Sequence, residues 1–316
     1  MKIVVTGALG HIGSRLIRDL PNVFPGSDIV MLDDLSTQRY CSLFNLPHEG
    51  NYRFVEASVL DYDIRPLLDN ADVVIHLAAI TNAAGSFGNA EQVEQVNFEG
   101  TQKVAQACLD TNTPIFFPST TSVYGTQAEL VDEDCSSEDL KPQSPYAESK
   151  LKAEDLLDRL GRDAGLRYVI CRFGTICGVS EGMRFHTAVN KFCWQAVMGL
   201  PLTIWSTALH QKRPYLSLSD AVNSLTFIIQ NRIYDNRIYN VVTENLTPAD
   251  IVRMIESHVG RLDIQYTDSK IMNLLSYEVA NQRFLEQGFV FSGNIEKDIS
   301  ETLSLLVVGG GRRNGK

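Results

Sequence analysis

Tyr146 and Lys150 lie four residues apart at the start of a predicted helix, and together they could move a proton. Side chains at positions i and i+4 of an α-helix share one face, so the phenol and the ammonium would be neighbours. A nearby cation favours the phenolate, which is a general base toward an alcohol. The same spacing recurs at Tyr266 and Lys270, but only Tyr146 begins a long amphipathic helix after a strand. We assign the chemistry to the first pair and a structural role to the second.

A cluster of hydroxyl residues could hold the oxygen of such an alcohol. The segment "PSTTSVYG" places four hydroxyls at the end of the fifth predicted strand: Ser119, Thr120, Thr121 and Ser122. A hydroxyl beside the phenol would orient the substrate oxygen while its proton is removed. If the adjacent carbon also gives up a hydride, the site needs a cofactor that accepts it.

A glycine loop near the N-terminus predicts where that cofactor binds. The apolar run "KIVVT" leads into Gly7, Gly10 and Gly13, with His11 and Ile12 before the last glycine, and then into a helical pattern. Glycines at these positions let the backbone turn tightly, approach a diphosphate and direct the helix N-terminus at its charge. We predict a dinucleotide site here. A plain strand-to-helix turn is the alternative explanation of the same glycines.

Asp33 and Asp34 end the second predicted strand, about twenty residues beyond the glycine loop. A carboxylate there can bind the ribose hydroxyls of the adenosine and repels a 2′-phosphate, which favours NAD over NADP. Two alternatives stay open: Arg39 could accept such a phosphate, and Asp33 could be only a turn residue at the strand end. We expect NAD to be the cofactor.

The cofactor would also help to activate Tyr146. A free tyrosine has a pKa near 10, which is too high for a base at neutral pH. Lys150 and a positively charged nicotinamide ring both favour the phenolate. Lowering the pKa by about three units corresponds to ~4 kcal/mol, which two close and partly desolvated cations can supply. We therefore expect Tyr146 to be the general base.

The elements that position these residues alternate between strands and helices. Helices are predicted around 11–20, 89–112 and 146–164. Strands are predicted over 2–6, 28–32, 52–57, 72–77, 114–119 and 167–173. Their continuous apolar runs indicate strands that are buried on both faces. The pattern predicts an α/β fold with a doubly wound parallel sheet of the Rossmann type.

The C-terminal half is less regular and predicts a smaller substrate-binding domain. It contains a helix at about 184–199, short strands in 201–205 and 214–219, a helix from Asp220, a strand at 237–242 and a helix capped by Thr247 with Pro248 at its first position. We divide the chain into 1–174, a dinucleotide-binding domain, and 175–308, a substrate-binding domain. Part of 214–242 is expected to return to the first domain. Residues 309–316 are expected to be a flexible tail.

Five segments together resemble one protein family: "TGALGHIG", "VIHLAA", "STTSVYG", "PYAESKLKAE" and "RFGTICG". Their order and spacing are similar to those of the extended short-chain dehydrogenase/reductases, in the nucleotide-sugar epimerase/dehydratase branch. The resemblance implies that Thr120 is the catalytic hydroxyl, Tyr146 the base and Lys150 a ligand of the nicotinamide ribose. It also implies cofactor contacts from Ser58, Val59, Leu77, Ala78, Ala79, Asn97, Ser119 and Phe173.

Ser122 bears on which reaction of this branch is implied. Family members that eliminate water or decarboxylate carry an acidic residue two positions before the tyrosine of Val-Tyr-Gly, which is Tyr124 here. The resemblance thus implies an epimerase that transiently oxidises a sugar carbon, with C4 expected. One alternative is a nucleotide-sugar ketoreductase or dehydrogenase on the same machinery. Another is an NAD-sensing binding protein without chemistry, against which the intact Thr120, Tyr146 and Lys150 argue.

The substrate side departs from the family pattern. Arg213 in "HQKRPYLSLSD" is a candidate diphosphate ligand, although Pro214 replaces the usual acid, and "NLLS" stands where the family has a second arginine. Arg184 and Lys191 could supply the missing charge, and Arg184 could equally be a solvated residue at a helix start. The residues implied to contact the nucleotide sugar are Thr81, Thr120, Thr175, Arg184, Asn190 and Arg213.

Composition excludes several other functions. The chain has 316 residues and a formal net charge of -10, which argues against a general nucleic-acid binder. It has no apolar run long enough for a membrane span, and no signal peptide is recognisable, so a cytoplasmic protein is expected. Its six cysteines form no Cys-x-x-Cys and its six histidines no i,i+4 pair, so we expect neither disulfides nor a metal site.

Some conspicuous features are assigned ordinary roles. The acidic stretch 129–142 lacks metal-ligand spacing and is interpreted as a solvated loop. His76 is expected to be a hydrogen-bonded core residue. Trp194 and Trp205 are expected to pack in the C-terminal half, with one of them at the sugar pocket as an alternative. Helices 89–112 and 146–164 pair across a two-fold axis in the family, which implies a homodimer, although a monomeric sheet could bury the same apolar faces.

Overall fold

The structure is a computed structural model that describes residues 1–125, 129–267 and 277–309. Its strands are β1 (Lys2–Thr6), β2 (Asp28–Asp33), β3 (Asn51–Glu56), β4 (Val73–His76), β5 (Ile115–Thr120), β6 (Leu130–Val131), β7 (Tyr168–Phe173), β8 (Thr175–Cys177), β9 (Leu202–Trp205), β10 (Arg213–Ser217), β11 (Ile238–Val241), β12 (Glu244–Leu246), β13 (Ile264–Thr267) and β14 (Glu278–Val279). Its α-helices are α1 (His11–Val23), α2 (Arg65–Leu68), α3 (Ala90–Glu94), α4 (Gly100–Asp110), α5 (Pro145–Ala164), α6 (Ala188–Val197), α7 (Leu218–Asn231), α8 (Pro248–Val259), α9 (Gln282–Glu286) and α10 (Ile295–Gly309).

Seven parallel strands form the central sheet in the order β11-β7-β5-β4-β1-β2-β3. The strands β4, β5 and β7 are buried along their whole length, because apolar clusters cover both faces of the sheet. On one face Leu16 and Ile17 of α1 join the core, and on the other Val104 of α4 and Leu157 of α5 do so. The predicted doubly wound sheet is confirmed, with each of its predicted strands present.

The strand order reverses beside β1, which pairs with β2 on one side and β4 on the other. At such a switch point the loops that leave adjacent strands diverge and open a crevice above the carboxyl ends of the strands. The glycine loop after β1 borders this crevice, and Gly7 N donates to Leu32 O at the end of β2 (2.8 Å). The sheet topology therefore places the predicted dinucleotide loop where parallel sheets bind ligands.

The C-terminal half contributes one strand to the central sheet and corrects two helix boundaries. β11 pairs with β7 in the central sheet, with Ile238 opposite Ile170. The helix predicted at 184–199 begins only at Ala188, because residues 180–184 lie against the glycine loop, and α7 begins at Leu218, before Asp220. Smaller sheets pair β12-β10-β8, β13-β9 and β14-β6. The division into two domains stays a prediction.

Two local features follow from the sequence and shape the site. Ser144 caps α5 by accepting from Ala147 N (3.2 Å), with Pro145 at the first position, so the helix start is fixed just before Tyr146. Thr247 forms a capping box with Asp250 at α8, as the predicted cap requires. The helix predicted over 89–112 is interrupted by a π-helical turn at Gln95–Glu99.

Some predictions fall outside the described residues: Lys270, the "NLLS" segment and the tail beyond Gly309. Of the helices in the described ranges, none has both the length and the hydrophobicity needed to span a membrane. Within the same ranges, histidines, cysteines and carboxylates do not assemble into a group that could hold a metal ion. His76 is buried and bonded through both ring nitrogens, to Thr6 and Thr101, which confirms the predicted core role.

Candidate active site

A cavity of about 820 Å³ lies above the carboxyl ends of the parallel strands. Its walls include the residues that follow β1, β2, β4, β5 and β7, among them Gly7, Asp34, Leu77, Thr121 and Gly174. Residues from the C-terminal half, such as Trp205 and Arg213, close the other side. The cavity therefore extends from the crevice at the switch point to the smaller sheets of the C-terminal half.

The glycine loop approaches the loop after β4 too closely for any side chain. Gly7 has φ +65°, and a Cβ there would lie 2.5 Å from Ala78 N. Gly13 lies in the first turn of α1, and a Cβ there would lie 2.6 Å from Ala8 O. At Gly10 the corresponding direction is more open: a Cβ would contact Gly7 O at 3.3 Å and Arg184 Nη2 at 3.7 Å. The loop thus presents bare backbone at the N-terminus of α1, which suits a diphosphate.

Asp33 fastens the glycine loop to β2. Its two carboxylate oxygens accept from Leu9 N and Leu35 N, each at 3.0 Å. Burial raises the pKa of Asp33, while these two hydrogen bonds lower it. The carboxylate also lines the cavity, so it retains free lone pairs for the ribose hydroxyls that the sequence assigns to it. The strand-end role and the predicted ligand role are therefore compatible.

Thr120, Tyr146 and Lys150 meet at the floor of the cavity. The Thr120 side chain lies beside the Tyr146 phenol and favours its ionised form, and Tyr146 is half-buried and lines the cavity. Lys150 Nζ donates to Pro118 O (2.9 Å) and lies 4.4 Å from the centre of the Phe117 ring. The three predicted catalytic side chains thus converge from the end of β5 and the first turns of α5.

The electrostatics of this trio correct one expectation. Burial raises the pKa of Tyr146 to about 12, and the groups that lower it are Thr120 and Arg184 rather than Lys150. Lys150 is itself desolvated, because its ammonium packs against Pro118 O and the Phe117 ring, and its pKa falls to about 7. Among the chain's own groups, the cation that favours the phenolate is therefore Arg184.

Buried polar atoms without a partner among the described residues concentrate in the cavity walls. Five of the seven such side-chain atoms in the described ranges belong to lining residues: His11 Nε2, Arg39 Nη1, Ser119 Oγ, Arg184 Nε and Thr187 Oγ1. A buried donor left unpaired costs about 1–3 kcal/mol, so such atoms mark the place of a polar ligand. Three of them are nitrogens of basic residues near the glycine loop. Together with the bare loop backbone, they fit the diphosphate and ribose of NAD.

Arg184 is held at the glycine loop by residues 180–184, which we call the docking segment. Its attachments to α1 include Gly182 N to Ser14 Oγ (2.9 Å) and Glu181 to Arg18 (3.0 Å). Arg184 extends from this segment across the cavity, and its Nη1 donates to Thr81 Oγ1 beyond β4. Burial and Arg39 lower the pKa of Arg184 to about 10, so it remains a cation. Of its two predicted environments, the solvated one is wrong.

Two other basic residues of the substrate side also line the cavity. Arg213 lines the cavity and packs against Tyr277, with 5.9 Å from its guanidinium carbon to the ring centre. Lys191 Nζ donates to Thr203 Oγ1 (2.6 Å). Trp205 borders the cavity, as one predicted alternative allowed, whereas Trp194 is 40% exposed and packs on Phe185.

Two predicted contact residues lie behind the cavity wall. Asn97, in the π-helical turn, accepts from Ile80 N (2.7 Å) and donates to Ile80 O (3.0 Å), so its amide holds the loop after β4. Asn190 is fully buried and donates to Arg184 O (2.9 Å), which anchors the docking segment. Their amides are consumed by backbone groups, so both residues shape the site without facing its ligands.

The other predicted site residues all line the cavity: Gly7, Gly10, His11, Ile12, Gly13, Asp33, Asp34, Ser58, Val59, Leu77, Ala78, Ala79, Thr81, Ser119, Thr120, Tyr146, Lys150, Phe173, Thr175, Arg184 and Arg213. Sequence reasoning missed His186, Thr203, Tyr215 and Tyr277, which also line it. These residues come from four separate segments of the C-terminal half and share no motif, so no local signal identifies them.

The fold and the site define a dinucleotide-dependent enzyme that works on an alcohol or a ketone. The model of the NAD dependent epimerase/dehydratase family matches residues 3–241. The chain belongs to this family, and its cofactor is NAD.

Similar proteins support this assignment. The chain is 32% identical over 281 residues to "Uncharacterized UDP-glucose epimerase YtcB" of Bacillus subtilis (strain 168), with 86% of each chain covered. It is 29% identical to a trifunctional UDP-glucose 4,6-dehydratase, epimerase and reductase of Arabidopsis thaliana, RHM3, of which it spans only 46%. UDP-glucuronic acid 4-epimerase from Bacillus cereus, solved with UDP-glucuronic acid and NAD, superposes with a TM-score of 0.88 at 25% identity, covering 96% of this chain and 98% of that one.

Proposed function

We propose that the chain is an NAD-dependent epimerase that inverts one carbon of a nucleotide sugar, expected to be C4, through a transient ketone. The observation that carries the proposal is the position of the Thr120 hydroxyl beside the Tyr146 phenol at the floor of the cavity, where it favours the phenolate, with Ser122 rather than an acid among the lining residues. The UDP-glucose and UDP-glucuronic acid epimerases to which the chain is similar support the same reaction.

The chain's residues would handle the proton of the sugar hydroxyl. Thr120 orients the oxygen, and Tyr146 Oη accepts its proton and later returns it to the same oxygen. Bound NAD would supply the acceptor for the hydride of the sugar carbon and the donor that returns it to the opposite face. Lys150 would donate a hydrogen bond to the nicotinamide ribose. Arg184 would lower the pKa of Tyr146 and so favour its phenolate form. No net oxidant is consumed.

Ser122 disfavours the dehydratase reaction of the longer relatives. Elimination of water needs a second proton donor and acceptor next to the reacting carbons, and carboxylates usually serve this purpose. Ser122 lines the cavity with a hydroxyl, which is too weak an acid to replace a carboxylic acid as proton donor at neutral pH. The site therefore supports the alcohol–ketone step without elimination.

A panel of nucleotide sugars tests the proposal. We expect purified protein to convert one UDP- or dTDP-sugar into its epimer, followed by ¹H NMR of the anomeric proton, without added NAD and without accumulation of NADH. Net NADH formation, or turnover that requires an added reductant, would instead establish the ketoreductase alternative. No reaction with any sugar, together with an unchanged cellular phenotype of Tyr146→Phe, would establish the sensor.

We further propose that the chain is a cytoplasmic homodimer. The family arrangement would pair α4 and α5 with their copies across a two-fold axis. In one chain the apolar residues of these helices, such as Val104 and Leu157, already pack on the sheet, so the interface would be built from their outer polar faces and the partly exposed Leu151. Sedimentation velocity across a concentration series distinguishes a dimer from a monomer.

A further inference from the structure

The two ring nitrogens of His11 have different surroundings. Nδ1 lies 2.8 Å from Ser180 Oγ of the docking segment, whereas Nε2 is buried and has no hydrogen-bond partner in the described part of the chain. His11 is the first residue of α1, lines the cavity beside Gly10 and is only 9% exposed. An unpaired buried nitrogen is unfavourable in a folded protein, so it points to a ligand.

The Ser180 hydroxyl determines which nitrogen carries the proton. Ser180 is only 7% exposed, and His11 Nδ1 is the one acceptor that its hydroxyl reaches among the described residues. If Nδ1 carried the proton, the buried hydroxyl would have no acceptor at all. The pair is satisfied when Ser180 donates to Nδ1, and a neutral imidazole then carries its proton on Nε2.

The ring is neutral for a clear physical reason. Burial and the positive charges of Arg184 and Arg39, together with His186, hold the pKa of His11 at about 3. A neutral ring has one N–H, and here that N–H lies at a helix N-terminus within the electrostatic influence of Arg184 and Arg39. This environment repels cations and favours an anion, and the anion that a glycine loop of this kind binds is a diphosphate.

We propose that His11 Nε2–H donates a hydrogen bond to the diphosphate of the bound dinucleotide, and that Ser180 fixes the tautomer that makes this bond possible. Ser180 thereby acts as a positioning residue from the C-terminal half for the cofactor loop. The proposal rests on the assignment of the glycine loop as the dinucleotide site and not on the epimerase reaction. Its tests therefore use binding without a sugar nucleotide.

Binding of two probes separates a diphosphate contact from a general effect on the loop. For His11→Phe, which keeps a planar ring, we expect the Kd of ADP-ribose to rise roughly 10- to 100-fold, as for loss of a hydrogen bond to a charged group. The Kd of adenosine, which has no diphosphate, should change less than about twofold. Ser180→Ala should weaken ADP-ribose binding in the wild-type background and have no further effect in His11→Phe.

Ser14→Ala is the matched control. It removes another hydrogen bond between the docking segment and α1, from Gly182 N to Ser14 Oγ, without touching His11 Nδ1. If Ser180 only docks the segment, Ser14→Ala and Ser180→Ala will lower the Tm alike and weaken both probes alike, and the proposal fails. Unchanged ADP-ribose affinity in folded His11→Phe also overturns it.

The tautomer can be observed directly in the unmutated protein. With ¹⁵N-labelled histidine, the two ring nitrogens of each neutral imidazole are distinguished by their couplings to the carbon-bound protons. We expect His11 to be protonated at Nε2, with the Nε2 resonance shifting on addition of ADP-ribose. Protonation at Nδ1 would overturn the proposal even if His11→Phe does not fold.

Discussion

Lys150 Nζ donates to the carbonyl oxygen of Pro118 at 2.9 Å, which ties the helix that carries Tyr146 to the strand that ends in Thr120. This hydrogen bond is one of the contacts that hold the base beside the orienting hydroxyl. It also buries the ammonium between β5 and α5, where only 3% of Lys150 is exposed. The cost of that burial gives the protein a measurable pH dependence.

The stability of the protein without NAD should rise with pH through Lys150. The pKa of Lys150 falls to about 7 in the folded chain from an ordinary value of 10.5, so between these values unfolding takes up a proton. The free energy of unfolding then increases by up to roughly 1.4 kcal/mol per pH unit. Urea denaturation of Lys150→Met against wild type isolates this slope, and Lys152→Met, at an exposed residue of the same helix, should keep it. If the free energy of unfolding depends on pH equally in wild type and Lys150→Met, Lys150 is not the source of this dependence.

Tyr146→Phe should abolish epimerisation and preserve cofactor binding. Removal of a general base typically lowers the rate about 10²- to 10⁴-fold, while the phenyl ring still fills the same space. Activity is measured by NMR and NAD affinity by calorimetry. Tyr266→Phe is the control, because this tyrosine of the second Tyr-x-x-x-Lys pair is 54% exposed on β13, and its loss should leave both quantities unchanged.

Gly7→Ala should prevent NAD binding, because its Cβ would clash with the Ala78 backbone at 2.5 Å. Gly26→Ala separates this clash from backbone strain. Gly26 also has a positive φ (+73°), but a Cβ there meets nothing within 4 Å. We expect Gly26→Ala to cost about 1 kcal/mol of stability with normal NAD affinity. Both affinities are measured by calorimetric titration with NAD. Equal affinities for the two variants would contradict a role for the close approach of Gly7 to Ala78 in NAD binding.

Glu154→Gln should destabilise the fold strongly. Arg172 and Glu154 form a bidentate pair (2.7 and 3.1 Å), with each side chain 3% exposed, between α5 and the end of β7. Removing one partner leaves a buried charge, at a cost of about 3–5 kcal/mol. Glu94→Gln breaks the exposed pair with Lys152 and should cost less than about 1 kcal/mol. Denaturant titrations compare the two variants.

The sequence predicted those parts of the site whose geometry depends on residues close together along the chain. Gly7, Gly10 and Gly13 act through their own backbone, and Tyr146 and Lys150 share a helix face because of their spacing. Apolar runs likewise identified each strand of the parallel sheet. Side chains whose partners come from remote segments were harder to place: Asn97 and Asn190 have suitable chemistry, but their amides are consumed by Ile80 and Arg184.

By itself, the sequence determined the doubly wound sheet, the glycine loop at its first turn and the tyrosine–lysine helix, since periodicity and turn chemistry are local properties. Only the tertiary structure decided where charge resides in the site. The docking segment brings Arg184 across the cavity to Thr81 and Ser180 to His11 Nδ1, and the β5–α5 packing desolvates Lys150. Burial and through-space charge depend on contacts between distant segments, which no spacing along the chain records.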